Sequence, residues 1–197
     1  NDIFFAINGN HINGNYFINE AINNGAKIIV SNLKYKGFNK QKVLFLQNKD
    51  PRKLLSEAAS NFYYKKPKNI IAVTGTNGKT SIANLYYQIL TLNKKKVASI
   101  GTLGIISKKF NQKTNNTSID PINIHKILEK LYKLKINNVI LEASSHGLKQ
   151  HRLNNINFNT AVFTNFSRDH LDYHKTFSDY LNSKLILFNK LLKKKGN

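Results

Sequence analysis

Residues 70–80 read Ile70-Ile71-Ala72-Val73-Thr74-Gly75-Thr76-Asn77-Gly78-Lys79-Thr80, an apolar strand running into a glycine turn closed by a lysine and a threonine. Gly75 and Gly78 let backbone N–H groups close around phosphate oxygens that side chains would obstruct. Lys79 can reach the β- and γ-phosphates of a nucleoside triphosphate, and the Thr80 hydroxyl can sit on a magnesium ion. A helix opening near Lys79 aims its positive end at the same anion. The general phosphate-loop pattern wants a glycine where this chain has Val73. On local grounds an ordinary strand–turn–helix junction therefore stays open as the alternative.

Outward from this stretch, apolar runs and helical periodicities alternate. The pattern predicts a strand at 70–74, a helix at 79–92, a strand at 97–100, a helix at 121–134, strands at 138–142 and 160–164, and a helix at 177–193. Strands separated by helices predict a mostly parallel sheet covered on both faces, with ligands at the strands' carboxyl ends. Polar clusters stand at those ends: Thr74 to Thr80, Gly101-Thr102, Glu142 to Gly147 and Thr164 to His170.

Before it, the first 65 or so residues read as a small α/β unit. Ile3 to Ile7 is a short strand and Asn8-Gly9-Asn10 a turn. Phe17 to Asn24 is a helix ending at Gly25, and 27–31 and 43–47 are strands. Asp50-Pro51 opens a helix to about Tyr63, with an acid at the N-cap and proline at the first helical position. Pro67 marks a linker. The expected fold is α/β: a small N-terminal α/β domain, residues 1–66, followed by a mostly parallel-sheet, P-loop ATPase-like central domain, residues 67–197. The chain opens on Asn1-Asp2 and stops at Gly196-Asn197 where a further strand is expected, which reads as a fragment with both domains truncated.

The 197 residues, 41% of them hydrophobic, are ample for a packed core. The absence of cysteine excludes disulfides and thiolate metal sites and suits a reducing compartment such as the cytoplasm. No apolar run approaches a membrane span, so no membrane insertion is expected. The net charge of +21 suggests nucleic acid, but only Arg52, Arg152 and Arg168 are arginines, and the lysines travel with asparagine and isoleucine. Base and phosphate readout favours arginine, so no nucleic-acid partner is expected.

A second constellation follows the strand at 138–142. Glu142 emerges beside the glycine turn, where it can hold magnesium through oxygen or simply face solvent. Ser167-Arg168-Asp169-His170-Leu171-Asp172-Tyr173-His174 gathers two histidines, two aspartates and an arginine, a composition suited to a metal or phosphate site. On the last helix Leu181, Leu185, Phe188 and Leu192 form an apolar stripe bordered by Lys184. That lysine is either a snorkelling surface residue or a partly buried, reactive amine.

With both constellations quoted, the chain resembles the Mur ligases, and within them the type that adds the third amino acid to UDP-N-acetylmuramoyl-L-alanyl-D-glutamate. Asp2-Ile3-Phe4-Phe5-Ala6 through Gly25-Ala26 resembles the uridine-binding N-terminal domain. Thr74 to Thr80 is similar to the family's variant phosphate loop, in which Val73 is normal. Glu142 with Ser144-Ser145-His146-Gly147-Leu148, Gln150-His151-Arg152 and Ser167 to His174 resemble segments of that type.

The resemblance implies an ATP-dependent carboxylate–amine ligase of peptidoglycan biosynthesis that works through an acyl phosphate. It implies ATP and Mg2+ as cofactors, a UDP-N-acetylmuramoyl-dipeptide and an amino acid as partners, and a monomer. Gly75, Thr76, Asn77, Gly78, Lys79, Thr80 and Ser81 would hold ATP. Lys79, Glu142, His170 and Lys184 would carry the chemistry, with Thr80, Glu142, His170 and a carbamylated Lys184 around magnesium. Asn116, Thr117, Ser118, Ser144, Gln150 and Arg152 would face the peptide substrate, and Asn10, His11 and Ile12 the uridine. Two departures stand out: Thr117-Ser118-Ile119 where the family often has Thr-Thr-Pro, and Ala143 for the commoner valine. The family's C-terminal domain, which selects the amino acid, is not in this sequence, so the chain by itself is expected to be inactive. Another Mur-type or folylpolyglutamate-type ligase, or a basic nucleic-acid-binding P-loop protein, are the competing readings.

Overall fold

The computed structural model describes residues 2–9, 12–35, 37–114 and 117–193. Asn10, His11 and Asn116 lie outside the described residues. The chain divides into two units, Asn1–Leu55 and Ser56–Asn197.

In the first unit, β1 (Asp2–Phe5) pairs in parallel with β2 (Ala26–Ser31), and α1 (Ile18–Asn23) lies between them in sequence. The two-residue β3 (Gly37–Phe38) runs antiparallel to β4 (Leu44–Gln47), which is parallel to β2, so the sheet order is β1-β2-β4-β3. Ala6, Ile18, Ala26, Ile29 and Val43 form its core. Helix α2 (Pro51–Phe62) spans the boundary between the units.

The second unit is built on β5 (Asn69–Thr74), which enters the glycine turn and then α3 (Lys79–Leu92). β6 (Val97–Gly101) and β7 (Gly104–Ser107) form an antiparallel hairpin. α4 (Pro121–Lys133), β8 (Asn138–Glu142), α5 (Ser145–Lys149), β9 (Thr160–Phe163) and α6 (Phe177–Ile186) complete it. The sheet order is β7-β6-β8-β5-β9, parallel except for the hairpin. Alternation along the central strands explains why both faces are covered. Ile70 and Ala72 of β5 and Val139 and Leu141 of β8 face the large core that includes Ile124, Leu128 and Leu131 of α4. Val73 and Ile140 point the other way, to Ala83 of α3. Asp120 caps α4, its carboxylate accepting from Asn123 N at 3.0 Å, with Pro121 at the first turn.

Two expectations are corrected. The helix expected over 177–193 is α-helical only to Ile186, and Leu187–Leu191 continues as a π-helical turn. Its inward face is Tyr180, Ser183, Lys184, Leu187 and Leu191, one residue away from the Leu181–Leu185–Phe188–Leu192 stripe, which is only half-buried. Polar bonds from Tyr180 and Lys184 to the glycine turn set that rotation. The hairpin strand β7 and helix α5 go unread in the sequence because each is too short to establish a period.

His125 of α4 is fully buried, and its Nε2 donates to the Asn154 carbonyl at 3.2 Å while Nδ1 has no hydrogen-bond partner among the described residues. Burial, with the Lys66 ammonium nearby, pushes its pKa from 6.5 down to about 4. The fold thus holds the neutral ring, whereas the unfolded chain takes a proton near the ordinary value. Stability from this site is fully present above about 6.5 and is lost as pH falls through about 4. Denaturant titrations are expected to lose on the order of 3 kcal/mol across that window, and His125→Leu to flatten the slope.

Candidate active site

The turn after β5 is held open by its neighbours. Thr76 N donates to Asn165 O at 3.0 Å, Asn77 N to Asn165 Oδ1 at 3.0 Å, and Thr164 Oγ1 to Asn77 O at 2.6 Å. Gly75 has φ +144°, and a methyl group there would overlap the Thr164 hydroxyl. Gly78 precedes α3 with φ +82° and supplies no side-chain cap. The first amides of a 14-residue helix are therefore left without a capping side chain, facing a cavity of about 260 Å³.

Two ammonium groups converge on the turn. Lys79 Nζ donates to the carbonyls of Gly75 (2.9 Å) and Thr76 (2.7 Å). Lys184, only 1% exposed, donates to the same Gly75 carbonyl at 2.7 Å and lies 4.4 Å from the centre of the Tyr180 ring. Burial lowers the pKa of both; for Lys184 burial together with the Lys79 charge brings it to about 8. Two cations near one carbonyl oxygen make a strong anion attractor. The snorkelling alternative for Lys184 is excluded by its burial.

Glu142, at the end of β8, is 1% exposed, so the solvent-facing alternative is excluded too. Its carboxylate accepts from Thr80 Oγ1 (2.9 Å), Thr102 N (3.0 Å) and Thr102 Oγ1 (3.2 Å). Gly101 leaves the space it occupies: a methyl group there would collide with the carboxylate. His170 lines the same cavity in a left-handed conformation, φ +50°, with its Nε2 3.5 Å from Asp169 Oδ2.

The substrate-side candidates form an adjoining network. Ser118 Oγ accepts from Ser144 N at 3.0 Å, and Ser144 Oγ, the N-cap of α5, accepts from Gly147 N at 3.0 Å. Arg152 donates from Nη1 to Ser118 O (2.8 Å) and from Nε and Nη2 to Gln150 Oε1 (3.0 and 2.7 Å). Gln150 in turn donates to Tyr173 Oη at 3.1 Å. The Thr117 hydroxyl lies 3.1 Å from that of Thr102. Thr76, Asn77, Gly78, Lys79, Thr80, Ser81, Thr117, Glu142, Ser144, His170 and Lys184 thus line one cavity, and Ser118, Gln150 and Arg152 adjoin it through Ser144. Ile12 is exposed in a loop of the first unit, outside this cavity.

Further residues support the site, and one of them corrects an expectation: His174, counted from the sequence in a metal or phosphate cluster, is buried and does not line the cavity. Thr102 contributes two of the three bonds to Glu142, and the Tyr180 hydroxyl lies 3.2 Å from Thr76 Oγ1. Buried His174 joins α5 to α6: its Nε2 lies 2.9 Å from Ser145 Oγ, and its Nδ1 3.4 Å from Ser183 Oγ and 3.5 Å from Asp179 Oδ2. Burial, then the nearby Lys149 charge, keeps its pKa below the ordinary value. The Thr102–Glu142, Thr76–Tyr180 and Ser145–His174 partners lie 40, 104 and 29 positions apart, so no local spacing announces them.

Among the described residues no three His, Cys, Asp or Glu side chains cluster as a ready metal cage. The Glu142 carboxylate and the Thr80 hydroxyl beside it are oxygen donors of the kind magnesium takes, one or two protein groups with waters and phosphate oxygens completing its shell. Glu142 and Thr80 would supply oxygens, with His170 beside them.

Residues 73–196 match the model of the Mur ligase middle domain. The chain belongs to the Mur ligase family. Over 196 residues it is 45% identical to the UDP-N-acetylmuramoyl-L-alanyl-D-glutamate--2,6-diaminopimelate ligase of Rickettsia felis, covering 98% of this chain and 37% of that protein. A solved structure of a ligase of the same name superposes with a TM-score of 0.74 at 34% identity, over 90% of this chain and 36% of that one. MurF ligase from Thermotoga maritima in complex with ADP shares the fold, with a TM-score of 0.57 at 22% identity, over 94% of this chain and 39% of that one. The chain spans less than two fifths of the length of these three Mur ligases.

Proposed function

We propose that this Mur ligase chain contributes the ATP site, and part of the peptide-substrate site, of an enzyme joining 2,6-diaminopimelate to UDP-N-acetylmuramoyl-L-alanyl-D-glutamate. The observation that carries it is the adjacency of two sites. The cavity that Lys79 and Lys184 line also reaches Ser144, which is bonded through Ser118 to Arg152 and Gln150. The names of the relatives supply the amino acid.

In the proposed reaction a carboxylate oxygen of the dipeptide attacks the γ-phosphorus of ATP, and ADP leaves. The incoming amine then attacks the acyl carbon of the acyl phosphate, phosphate leaves, and the amine gives up a proton. Both partners of the first step are anions, so positioning and charge neutralisation dominate. Lys79 swings from the Gly75 and Thr76 carbonyls to the β- and γ-phosphates, while the α3 amides hold the remaining oxygens. Glu142, Thr80, His170 and a carbamylated Lys184 would hold magnesium, which would supply further neutralisation of the phosphates. A lysine with a pKa near 8 keeps an appreciable neutral fraction, the form that reacts with CO2. The Ser118–Ser144–Gln150–Arg152 network orients the dipeptide carboxylate, and the first unit takes the uridine. The reading suits a cytoplasmic monomer.

Thermal-shift titrations test it. The chain is expected to be stabilised by ATP with magnesium and separately by the UDP-muramoyl dipeptide; a shift with RNA alone ends the reading. Arg152→Lys removes the planar fork. It is expected to weaken the dipeptide roughly ten- to a hundredfold and leave ATP affinity unchanged.

A further inference from the structure

About 20 Å from the phosphate turn, one length of α3 away, lies a second charged cavity that the ligase chemistry does not use. Its volume is about 260 Å³, and Lys94, Lys95, Lys96, Lys108 and Lys109 rim it, with Val97 and Ile136 in its apolar wall. The lysines come from two separate segments, the turn after α3 and the end of β7. Among the described residues none of the five has an acidic partner. The sequence explains why: between Glu57 and Asp120 there is no acidic residue, while ten lysines occupy that stretch.

The turn that carries three of them is fixed. Lys95 N donates to Leu90 O at 2.9 Å, and Lys94 stands at φ +55°, a left-handed position where glycine would be unstrained. The outer face of α3 next to it is apolar. Leu85 and Ile89 are 55% exposed and Leu92 81% exposed, spaced i, i+4 and i+7. Thr91 Oγ1, in the cavity wall, is buried without a hydrogen-bond partner among the described residues.

We propose that this face docks peripherally on an anionic lipid surface, with lipid phosphates among the five lysines and Leu92 entering the headgroup layer. Charge complementarity and the contiguous apolar row commit it to lipid rather than RNA. A nucleic-acid site wants arginine and aromatic stacking platforms, and neither lines this cavity. Among the described residues no helix is long and apolar enough to span a membrane, so the association would be interfacial and salt-sensitive.

The test uses sedimentation with vesicles of equal parts phosphatidylglycerol and phosphatidylcholine against pure phosphatidylcholine. A wild-type chain of the relatives' full length, in which any further segment could cover α3, is expected to pellet with the anionic vesicles only. Lys94→Ser, Lys96→Ser and Lys108→Ser together should weaken partitioning roughly a hundredfold. A charge-matched control, Lys27→Ser, Lys34→Ser and Lys40→Ser, should change it only a few-fold. Equal loss in the two variants would overturn the proposal in favour of general attraction by net charge. Patch-dependent binding of RNA in place of vesicles would overturn it as well. Because the chain has no tryptophan, Leu92→Trp adds a clean reporter. Its emission should shift to the blue on anionic vesicles, and emission already blue-shifted without vesicles would show the face covered by protein and refute the docking.

Discussion

Glu142→Gln is expected to weaken magnesium-dependent ATP binding by about a hundredfold or more while leaving metal-free ATP binding nearly unchanged. The wild-type carboxylate is surrounded by three donors, Thr80 Oγ1, Thr102 N and Thr102 Oγ1. A glutamine of the same size keeps one acceptor oxygen but turns an NH2 group toward hydroxyl or amide donors, and it removes the charge that draws the cation. The local cost to folding is about 1–3 kcal/mol from the mispaired buried donors. Metal titration of ATP binding separates the two effects. A residue that merely knits β8 to the β6–β7 turn would lose stability in this variant and retain the full magnesium dependence, and that result would remove Glu142 from the proposed metal set.

Lys184→Met should preserve or raise stability and yet abolish turnover, by three orders of magnitude or more, in a chain of the relatives' full length. The ammonium is buried, and its bond to the Gly75 carbonyl and its place beside Tyr180 do not fully replace lost hydration. Its pKa, lowered from 10.5 to about 8 first by burial and then by Lys79, records that cost. Below about 8 the folded chain bears the whole penalty of the charge. Between 8 and 10.5 the unfolded chain binds more protons than the folded one, so this contribution to stability recovers as pH rises. In bicarbonate-free buffer, where the amine is unmodified, the stability gap between the Met variant and wild type should therefore be largest near neutrality, on the order of 3 kcal/mol, and close by pH 10.5. A Met variant less stable than wild type at neutral pH would make Lys184 a structural tie. Labelled bicarbonate gives an independent check, since a carbamate resonance present in wild type and absent in Lys184→Met identifies the modified amine.

Much of the architecture is legible along the chain because its causes are local. Two-sided burial of Ile70 to Val73 and Val139 to Leu141 writes continuous apolar runs. Asp120-Pro121 and Gly25 punctuate helices by their own dihedral preferences. The glycine turn is readable for the same reason: Gly75 and Gly78 stand where positive φ is required. The orientation of α6 is not readable in this way. Its leucine stripe is the stronger amphipathic signal, yet the helix turns Tyr180 and Lys184 inward because the carbonyls and hydroxyls of a turn roughly a hundred residues earlier need partners. The short β7 and α5 are likewise products of their surroundings, Gly101 and Gly104 closing the hairpin and Ser144 capping the helix.

Residue types and spacings alone therefore specified the longer helices, the parallel strands and the phosphate turn, since propensity and burial periodicity act within a few residues. Whether Glu142 faces water or donors, whether Lys184 snorkels or is buried, and which hydroxyls complete the cavity came from packing. Those outcomes depend on groups 15 to 109 positions apart being brought within hydrogen-bond reach, and no local pattern encodes such distances.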